Sequence, residues 1–535
     1  MQTVASALAG SLHNAGIDTI FGLPGGETVE FLDAIRRRDI RFILTHHETA
    51  AVFMADAWSR VTGRPGVCLT TLGPGAANAV AGLSHAYLDR SPILIITAQK
   101  PDTLLPAYTH QVLDLHALYR PITKASIKLD AGNVLSAAQY ALHLVQSERP
   151  GPVHLQLSNE DAGEPVAENP PPAVKPSQPA ASTTTAAAID RARSILARAH
   201  RPLILAGLGL EPERPYAALH ALAEAARAPV AVTPKAKGAL PDNHALSAGT
   251  VGLTRTDPIY TLIDEADCLI AVGFDVVELV KPWKHPAPLI WAATWPNHDP
   301  VISAAVEIVG SLPDALTALA QGPFNVAPDW GSARVASFHN ATRPQPLPEP
   351  APGRLLPQTV LAALRRYAPA DAFLAVDVGS HKIFSSLQWP AFMSNRFLVS
   401  NGLSCMGYAL PAAIGAALAA PGTHALCLTG DAGLAMTLGE LGVLSRCDLP
   451  VTVIVLNDGA IDLIRSHQRR VGKPVYATEF APPDFTHIAK AFGLPAQRVS
   501  DEAQLEAALQ DQLARTRPAL IEVMLDPASY PTTPS

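Results

Sequence analysis

The chain has 535 residues, 48% of them hydrophobic and 16% charged, with 40 basic against 47 acidic side chains and a formal charge of −7. At about 150 residues per domain this is a globular chain of three or four domains, which excludes disorder as its general state. No block of Lys or Arg marks a nucleic-acid or polybasic membrane surface, and no apolar run approaches the roughly 18 residues that span a bilayer.

Small-molecule chemistry in the cytoplasm is the expectation, with no nucleic-acid or membrane partner. Cys68, Cys268, Cys405, Cys427 and Cys447 form no C-x-x-C pair and no Cys/His cluster. They read as small apolar side chains in a reducing compartment.

In chain order, Val4, Leu8 and Leu12 share one face of a first helix, not a signal peptide. The apolar runs DTIFGL, RFILT, GVCLTT, PILIIT and PVHLQL then alternate with helical patterns such as Glu48–Val61 and Ala76–Tyr87. A Pro/Ser/Thr-rich spacer is expected over Glu160–Thr185. PLILAG, PVAVT, CLIAVG and PLIWAA repeat the style, and a second Pro-rich spacer is expected over Gly322–Gly353. AFLAVDV, HALCLTG, VTVIVLN and ALIEVML complete the chain. Apolar runs separated by helices predict parallel sheets buried on both faces. The fold class is therefore α/β, with three consecutive doubly wound domains at 1–165, 186–322 and 354–535.

Ligands of such sheets gather at the carboxyl ends of the strands. In the third block HALCLT runs into Gly430-Asp431-Ala432-Gly433, and VTVIVL into Asn457-Asp458-Gly459. The spacing from Asp431 to Asp458 suits a strand, a crossover helix and a return strand, so both carboxylates emerge at one edge. Two hard oxygen ligands beside a helix N-terminus suit Mg²⁺ and a phosphorylated ligand. Singly, each Asp could equally cap a helix or a turn. In the first block Glu48 stands where a strand meets a helix, either as a first-turn residue favoured by the helix dipole or as a carboxyl that exchanges a proton with a bound base. Gly73-Pro74-Gly75 and the turn GLPGG at 22–26 allow close backbone approach. No G-x-x-x-x-G-K-[ST] occurs, and Gly207-Leu208-Gly209 lacks a third glycine, so a nicotinamide dehydrogenase is disfavoured.

Taken together, FGLPGGE, HHETAAVFMADAWSRVTGRPGVCLTTLGPGAANAVAGLSHAYLDRSPILIITAQ, THQVLD, RPITKAS, SNGLSCMGYALPAAIGAAL, GDAGLAMTLGELGVL and VIVLNDGAIDLI resemble the thiamine-diphosphate-dependent decarboxylases and carboligases. The resemblance is to the acetolactate synthase catalytic subunit, nearer its flavin-free catabolic branch, and covers nearly the whole chain. It implies pyrimidine-binding, central Rossmann-like and diphosphate-binding domains. Each cofactor then lies between the first domain of one subunit and the third of another, giving a homodimer at least and a homotetramer as the expected assembly.

The resemblance further implies thiamine diphosphate and Mg²⁺ as cofactors and a 2-oxo acid as substrate. Glu48 matches the glutamate that hydrogen-bonds the aminopyrimidine ring and promotes proton removal from the thiazolium. Met406 matches the residue that bends the cofactor, and the carbonyl of Ser404 the acceptor of its amino group. Asp431, Asp458 and the carbonyl of Ala460 match the metal ligands, and Gly379, Ser380 and His381 the diphosphate loop. Gly26, Pro74, Asn78, Gly430, Ala432, Gly433 and Ile461 complete the cofactor contacts. Gln111, His110 and Glu27 are placed at the reacting carbon, with Leu463, Ile464 and His467 on the acceptor side.

Ala432 stands for a usual Gly and Asp458 for a usual Asn, which keeps an oxygen ligand and adds charge. Glu27, His110 and His467 stand where acetolactate synthases carry other residues, and leave the second substrate open. Pyruvate decarboxylation with ligation to a second pyruvate, giving 2-acetolactate and CO₂, is the leading reading. The alternatives are decarboxylation or ligation with another 2-oxo acid or an aldehyde, and a non-catalytic cofactor-binding relative.

Overall fold

The computed structural model describes residues 2–105, 110–147, 149–166, 186–211, 213–254, 257–279, 285–299, 301–342 and 347–530. They form three six-stranded sheets in which every recorded strand pairing is parallel. The first comprises Thr19–Leu23 (β1), Arg41–Leu44 (β2), Gly66–Thr70 (β3), Ile93–Gln99 (β4), Ala125–Lys128 (β5) and Val153–Ser158 (β6). The second comprises Pro202–Ala206 (β7), Val230–Val232 (β8), Ser247–Thr250 (β9), Cys268–Val272 (β10), Leu289–Ala293 (β11) and Val306–Val309 (β12). The third comprises Phe373–Val376 (β13), Phe397–Val399 (β14), Ala425–Gly430 (β15), Val451–Asn457 (β16), Ala496–Val499 (β17) and Ala519–Met524 (β18).

The middle sheet runs β12-β11-β10-β7-β8-β9, the order of a dinucleotide-type fold. The outer two share another order, β2-β1-β3-β4-β6-β5 and β14-β13-β15-β16-β18-β17. In both, strand order reverses between the first and third strands, and a crevice opens there.

The first and third domains share one hydrophobic core. Helix Glu48–Thr62 packs on helix Ala409–Ala419, whose sequence ALPAAIGAALA is nearly free of bulk. A Cβ on Gly415 would lie 2.2 Å from the Met54 carbonyl oxygen, so the two backbones touch. Small residues give this contact its closeness, and buried Trp58, Phe53 and Tyr408 fill in around it.

The runs read as strands form β1, β2, β3, β4, β6, β7, β8, β10, β11, β13, β15, β16 and β18. The predicted helix over 76–87 is two, Pro74–Asn78 and Val80–Leu88. The second Pro-rich segment is not an extended spacer throughout. It holds helix Ser332–Ala341, and the buried Trp330 donates its indole N–H to the Pro202 carbonyl at 2.8 Å. Proline density there hid a short amphipathic helix with Val335 and Phe338 inward. Of the first Pro-rich segment, 167–185 lies outside the described residues. Among the described residues no helix is long and apolar enough to cross a membrane, and all five cysteines are free.

Candidate active site

A cavity opens at the carboxyl ends of β13, β15 and β16. Val378, Gly379, Ser380 and His381 enter it after β13, Gly430 to Gly433 after β15, and Leu456, Asp458 and Ala460 to Ile464 around the end of β16. Ser404, Met406, Leu525 and Tyr530 close it. Every third-domain residue expected at the cofactor is therefore on one wall or another, as are Leu463 and Ile464. His467 is not. It lies exposed on helix Asp462–Arg470, its ring nitrogen 2.5 Å from the Arg470 guanidinium.

Asp431 is buried at the start of helix Asp431–Ala435, accepting the N–H groups of Ala432 and Gly459, both at 2.7 Å. Burial raises its carboxyl above the usual range. Asp458 is pushed up to about 7 by burial and by the neighbouring Asp431. Arg465 answers part of that charge: its guanidinium donates to Asp458 Oδ2 and Asp462 Oδ1, each at 2.9 Å. Asp462 also accepts the Ser380 hydroxyl at 2.9 Å. Three carboxylates against one guanidinium leave the cavity floor short of positive charge. A hard divalent cation fits that deficit. Among the described residues no group of three His, Cys, Asp or Glu side chains could hold a metal. A cation on Asp431 and Asp458 thus needs carbonyl and ligand oxygens as well.

The opposite wall suits an anion. Helix Ser380–Gln388 begins at the cavity with no side-chain cap, so its first N–H groups are open. The His381 ring folds over Gly379 and Gly430, where Cβ atoms would come to 2.6 Å and 3.2 Å of it. Burial pushes His381 down to about 4. Its Nε2 is buried without a hydrogen-bond partner, an orphan that a ligand in the cavity satisfies. Cation deficit, open helix terminus and orphan nitrogen together fit a magnesium diphosphate.

The first-domain candidates gather at the corresponding edge of the first sheet. Glu48 is buried and opens helix Glu48–Thr62; its Oε2 accepts the Asn78 amide at 3.0 Å. Pro74 starts the short helix that carries Asn78, and a Cβ on Gly75 would lie 3.0 Å from Glu48 Oε1. Gly73, at φ 47°, lets the Gln111 backbone close on that turn, and His110 and Gln111 are exposed beside it. Gly26 has open space where a Cβ would be. Glu27 accepts Lys100 Nζ at 3.1 Å and the Thr71 hydroxyl at 3.2 Å. Burial works to raise its carboxyl, and its own N–H with Lys100 and Thr71 outweighs that and holds it low.

None of these first-domain residues lines the third-domain cavity. Within a single chain the two groups of candidate residues lie on separate edges.

Lys100, Thr71, Asp377, Asp462, Arg465 and Tyr530 are site residues that sequence reasoning missed. Arg465 follows Asp462 by one helical turn on the helix after Asp458, a spacing that could have flagged it. Asp377 stands directly after β13 and accepts the N–H of Gly407 at 2.9 Å and the Thr429 hydroxyl at 3.0 Å. In the middle domain the crevice beyond β7 is filled by the chain itself. Glu278 accepts the Leu208 N–H at 2.8 Å, and Gly209 packs on Gly273 and the Trp295 ring.

Three models of one family match in order. They are the thiamine pyrophosphate enzyme N-terminal TPP binding domain over residues 2–118, the central domain over 189–319 and the C-terminal TPP binding domain over 377–523. The chain is 32% identical to the acetolactate synthase large subunit of Parasynechococcus marenigrum, over 98% of this chain and 88% of the relative. It is 30% identical to a probable acetolactate synthase large subunit of Methanocaldococcus jannaschii, over 98% and 92%. It is also 32% identical to a probable 2-ketoarginine decarboxylase, AruI, of Pseudomonas aeruginosa, over 97% and 94%. The cavity at the strand ends and the three matched domains agree, and the chain belongs to the thiamine pyrophosphate enzymes, with thiamine diphosphate as its cofactor and acetolactate synthase large subunits among its relatives.

Proposed function

We propose that the protein decarboxylates a 2-oxo acid, pyruvate first, and joins the remaining acyl unit to a second one, releasing 2-acetolactate and CO₂. The observation that carries this reading is a pair of residue groups: a cavity with surplus carboxylates and an open helix terminus on one sheet edge, and a buried carboxyl held by an amide on the other. Thiamine diphosphate, when bound, supplies the carbon nucleophile and the electron sink.

The protein supplies shape and charge. Asp431, Asp458 and the Ala460 carbonyl hold Mg²⁺, while His381 and the N–H groups of Gly379 and Ser380 hold the diphosphate. Asn78 fixes the Glu48 carboxyl so that it can pass a proton to and from the aminopyrimidine ring. Ser404 and Met406 would hold the cofactor from the loop that closes the cavity. Glu27, His110 and Gln111 border the reacting carbon, and Leu463 and Ile464 shape the space for the acceptor, while His467, exposed against Arg470, stays outside it.

Because among the described residues no first-domain residue lines the cavity of its own chain, a second copy completes it. Exposed Met436, Ile461 and Ile464 beside the cavity suit such a partner. A homodimer is the smallest working unit and a homotetramer the proposed assembly, in the cytoplasm.

A second reading is favoured by the Glu27–Lys100 pair, a polar group beside the reacting carbon, and by the decarboxylase among the relatives. In it the same chemistry acts on a longer, polar 2-oxo acid. Proton NMR of products from pyruvate, thiamine diphosphate and Mg²⁺ separates the two. Acetolactate at a turnover of order 1 s⁻¹ or faster is expected. Untouched pyruvate, or acetaldehyde alone, overturns the first reading.

A further inference from the structure

The cavity wall formed by Ser404 and Met406 belongs to a loop without regular structure, Asn401 to Gly407, and its shape is costly. Ser404 sits at φ 54°, a left-handed conformation that disfavours a residue with a side chain. What holds it comes from all three domains. The carboxylate of Asp89, at the end of first-domain helix Val80–Leu88, accepts the N–H groups of Asn401, at 3.2 Å, and Gly402, at 2.5 Å. First-domain His85 meets the Ser400 hydroxyl at 2.9 Å, and that oxygen accepts the Cys405 N–H at 3.0 Å. From the middle domain, Lys235 pairs with Asp89 at 2.7 Å, and the Glu278 carbonyl accepts the Asn401 amide at 3.1 Å. From the third, Lys382 donates to the Ser404 hydroxyl at 2.9 Å.

Asp89 is the centre of this arrangement. It is 1% exposed, as the Lys235 side chain is 2% exposed. A Cβ on Gly402 would lie 2.7 Å from Asp89 Oδ1 and 2.8 Å from Leu88 Cβ, so the loop sits directly on the helix end. Burial works to raise the Asp89 carboxyl, and Lys235, His85 and Arg60 outweigh it and keep it ionised. An ionised carboxylate accepting two backbone N–H groups from one turn fixes that turn's orientation more firmly than neutral bonds do.

We propose that Asp89, locked by Lys235, is a positioning residue for the cofactor loop: a first-domain carboxylate with a middle-domain counter-ion sets the third-domain backbone that presents Ser404 and Met406 to the cavity. The first domain thereby serves the cavity of its own chain from behind, while its Glu48 edge faces elsewhere. The link from loop to cofactor rests on the function proposed above; the hold on the loop does not.

The test uses the full chain as Asp89→Asn, as Lys235→Gln and as the double variant. Asp89→Asn alone leaves a buried lysine unpaired and lowers stability. The double variant removes both charges and is expected to recover most of the melting temperature. Stability and positioning then part company. In the cofactor-free double variant, amide hydrogen exchange over 401–407 should speed up about tenfold or more, with the strands β15 and β16 unchanged. Its thiamine diphosphate dissociation constant, read from tryptophan fluorescence, should rise about tenfold or more.

Unchanged exchange over 401–407 in a folded double variant overturns the hold on the loop. Faster exchange with wild-type cofactor affinity overturns the link to the cofactor. If even the wild-type chain binds no thiamine diphosphate, the proposed function fails while the exchange result still decides the role of Asp89.

Discussion

The first and third sheets have the same strand order and open their crevices at the same place, yet the two edges differ in chemistry. At the first, buried Glu48 is met by an amide and Glu27 by a lysine, so each carboxylate already has its partner. At the third, burial raises Asp431, and burial with Asp431 beside it raises Asp458, which leaves a cation wanting. Topology decides where a ligand can sit; the charge left over at the strand ends decides which end of the ligand goes there. In the proposed function, a fold used twice in one chain divides one cofactor between two edges.

The comparison is broken most severely by removing its two carboxylates in turn. Glu48→Gln should keep the fold and lower turnover by about 10²–10⁴-fold, the range for losing a general acid–base group, with cofactor affinity little changed in a calorimetric titration. Asp431→Ala should do the reverse first: thiamine diphosphate affinity falls by about 100-fold or more and saturating Mg²⁺ does not restore it. Equal losses of affinity in both variants would contradict the division of labour.

The seam between the two domains gives a pH effect. Glu440 of the third domain is buried and accepts the His46 N–H at 3.1 Å, two residues before Glu48. Burial pushes it up from 4.5 to about 7, against the pull of the His46 and His47 N–H groups and of Arg446. The folded state then holds a proton that the unfolded state has lost, so this contribution to stability is full below about pH 4.5 and gone above about pH 7. Its size is of order 1–3 kcal/mol. The melting temperature of Glu440→Gln, compared with wild type, should therefore gain on it steadily across that window.

The smallest effect contrasts two glycines. A Cβ on Gly433 would lie 2.8 Å from Asp377 Oδ2, whereas one on Gly26 meets nothing within 4 Å. Gly433→Ala should cost about 1–3 kcal/mol in urea unfolding, and Gly26→Ala about 0.5 kcal/mol or less.

The strands hidden from the sequence have one thing in common. β5, β9, β12, β14 and β17 each lie at the edge of a sheet. They are three or four residues long, and sequences such as ASIK, SAGT and AQRV carry neither an apolar run nor a clean alternation. Interior strands buried on both faces must be apolar throughout and so announce themselves; edge strands are chosen by their neighbours. The candidate site divides in the same way. Residues directly after apolar runs, such as Asp431, Asp458 and Glu48, were legible. Asp377 has that position too, but its partners Gly407 and Thr429 are distant in sequence. Arg465 and Lys100 act through pairings that only the fold creates, and Asp89 through three domains at once.

The separation of Glu48 from the cavity of its own chain has a genetic consequence in the proposed dimer. One allele altered at Glu48 and another altered at Asp431 are each null alone. Together they complement, because one of the two cavities in a mixed dimer receives both intact halves. Both changes on one allele behave otherwise: paired with a wild-type chain, that product spoils one half of each cavity, and the allele is dominant-negative.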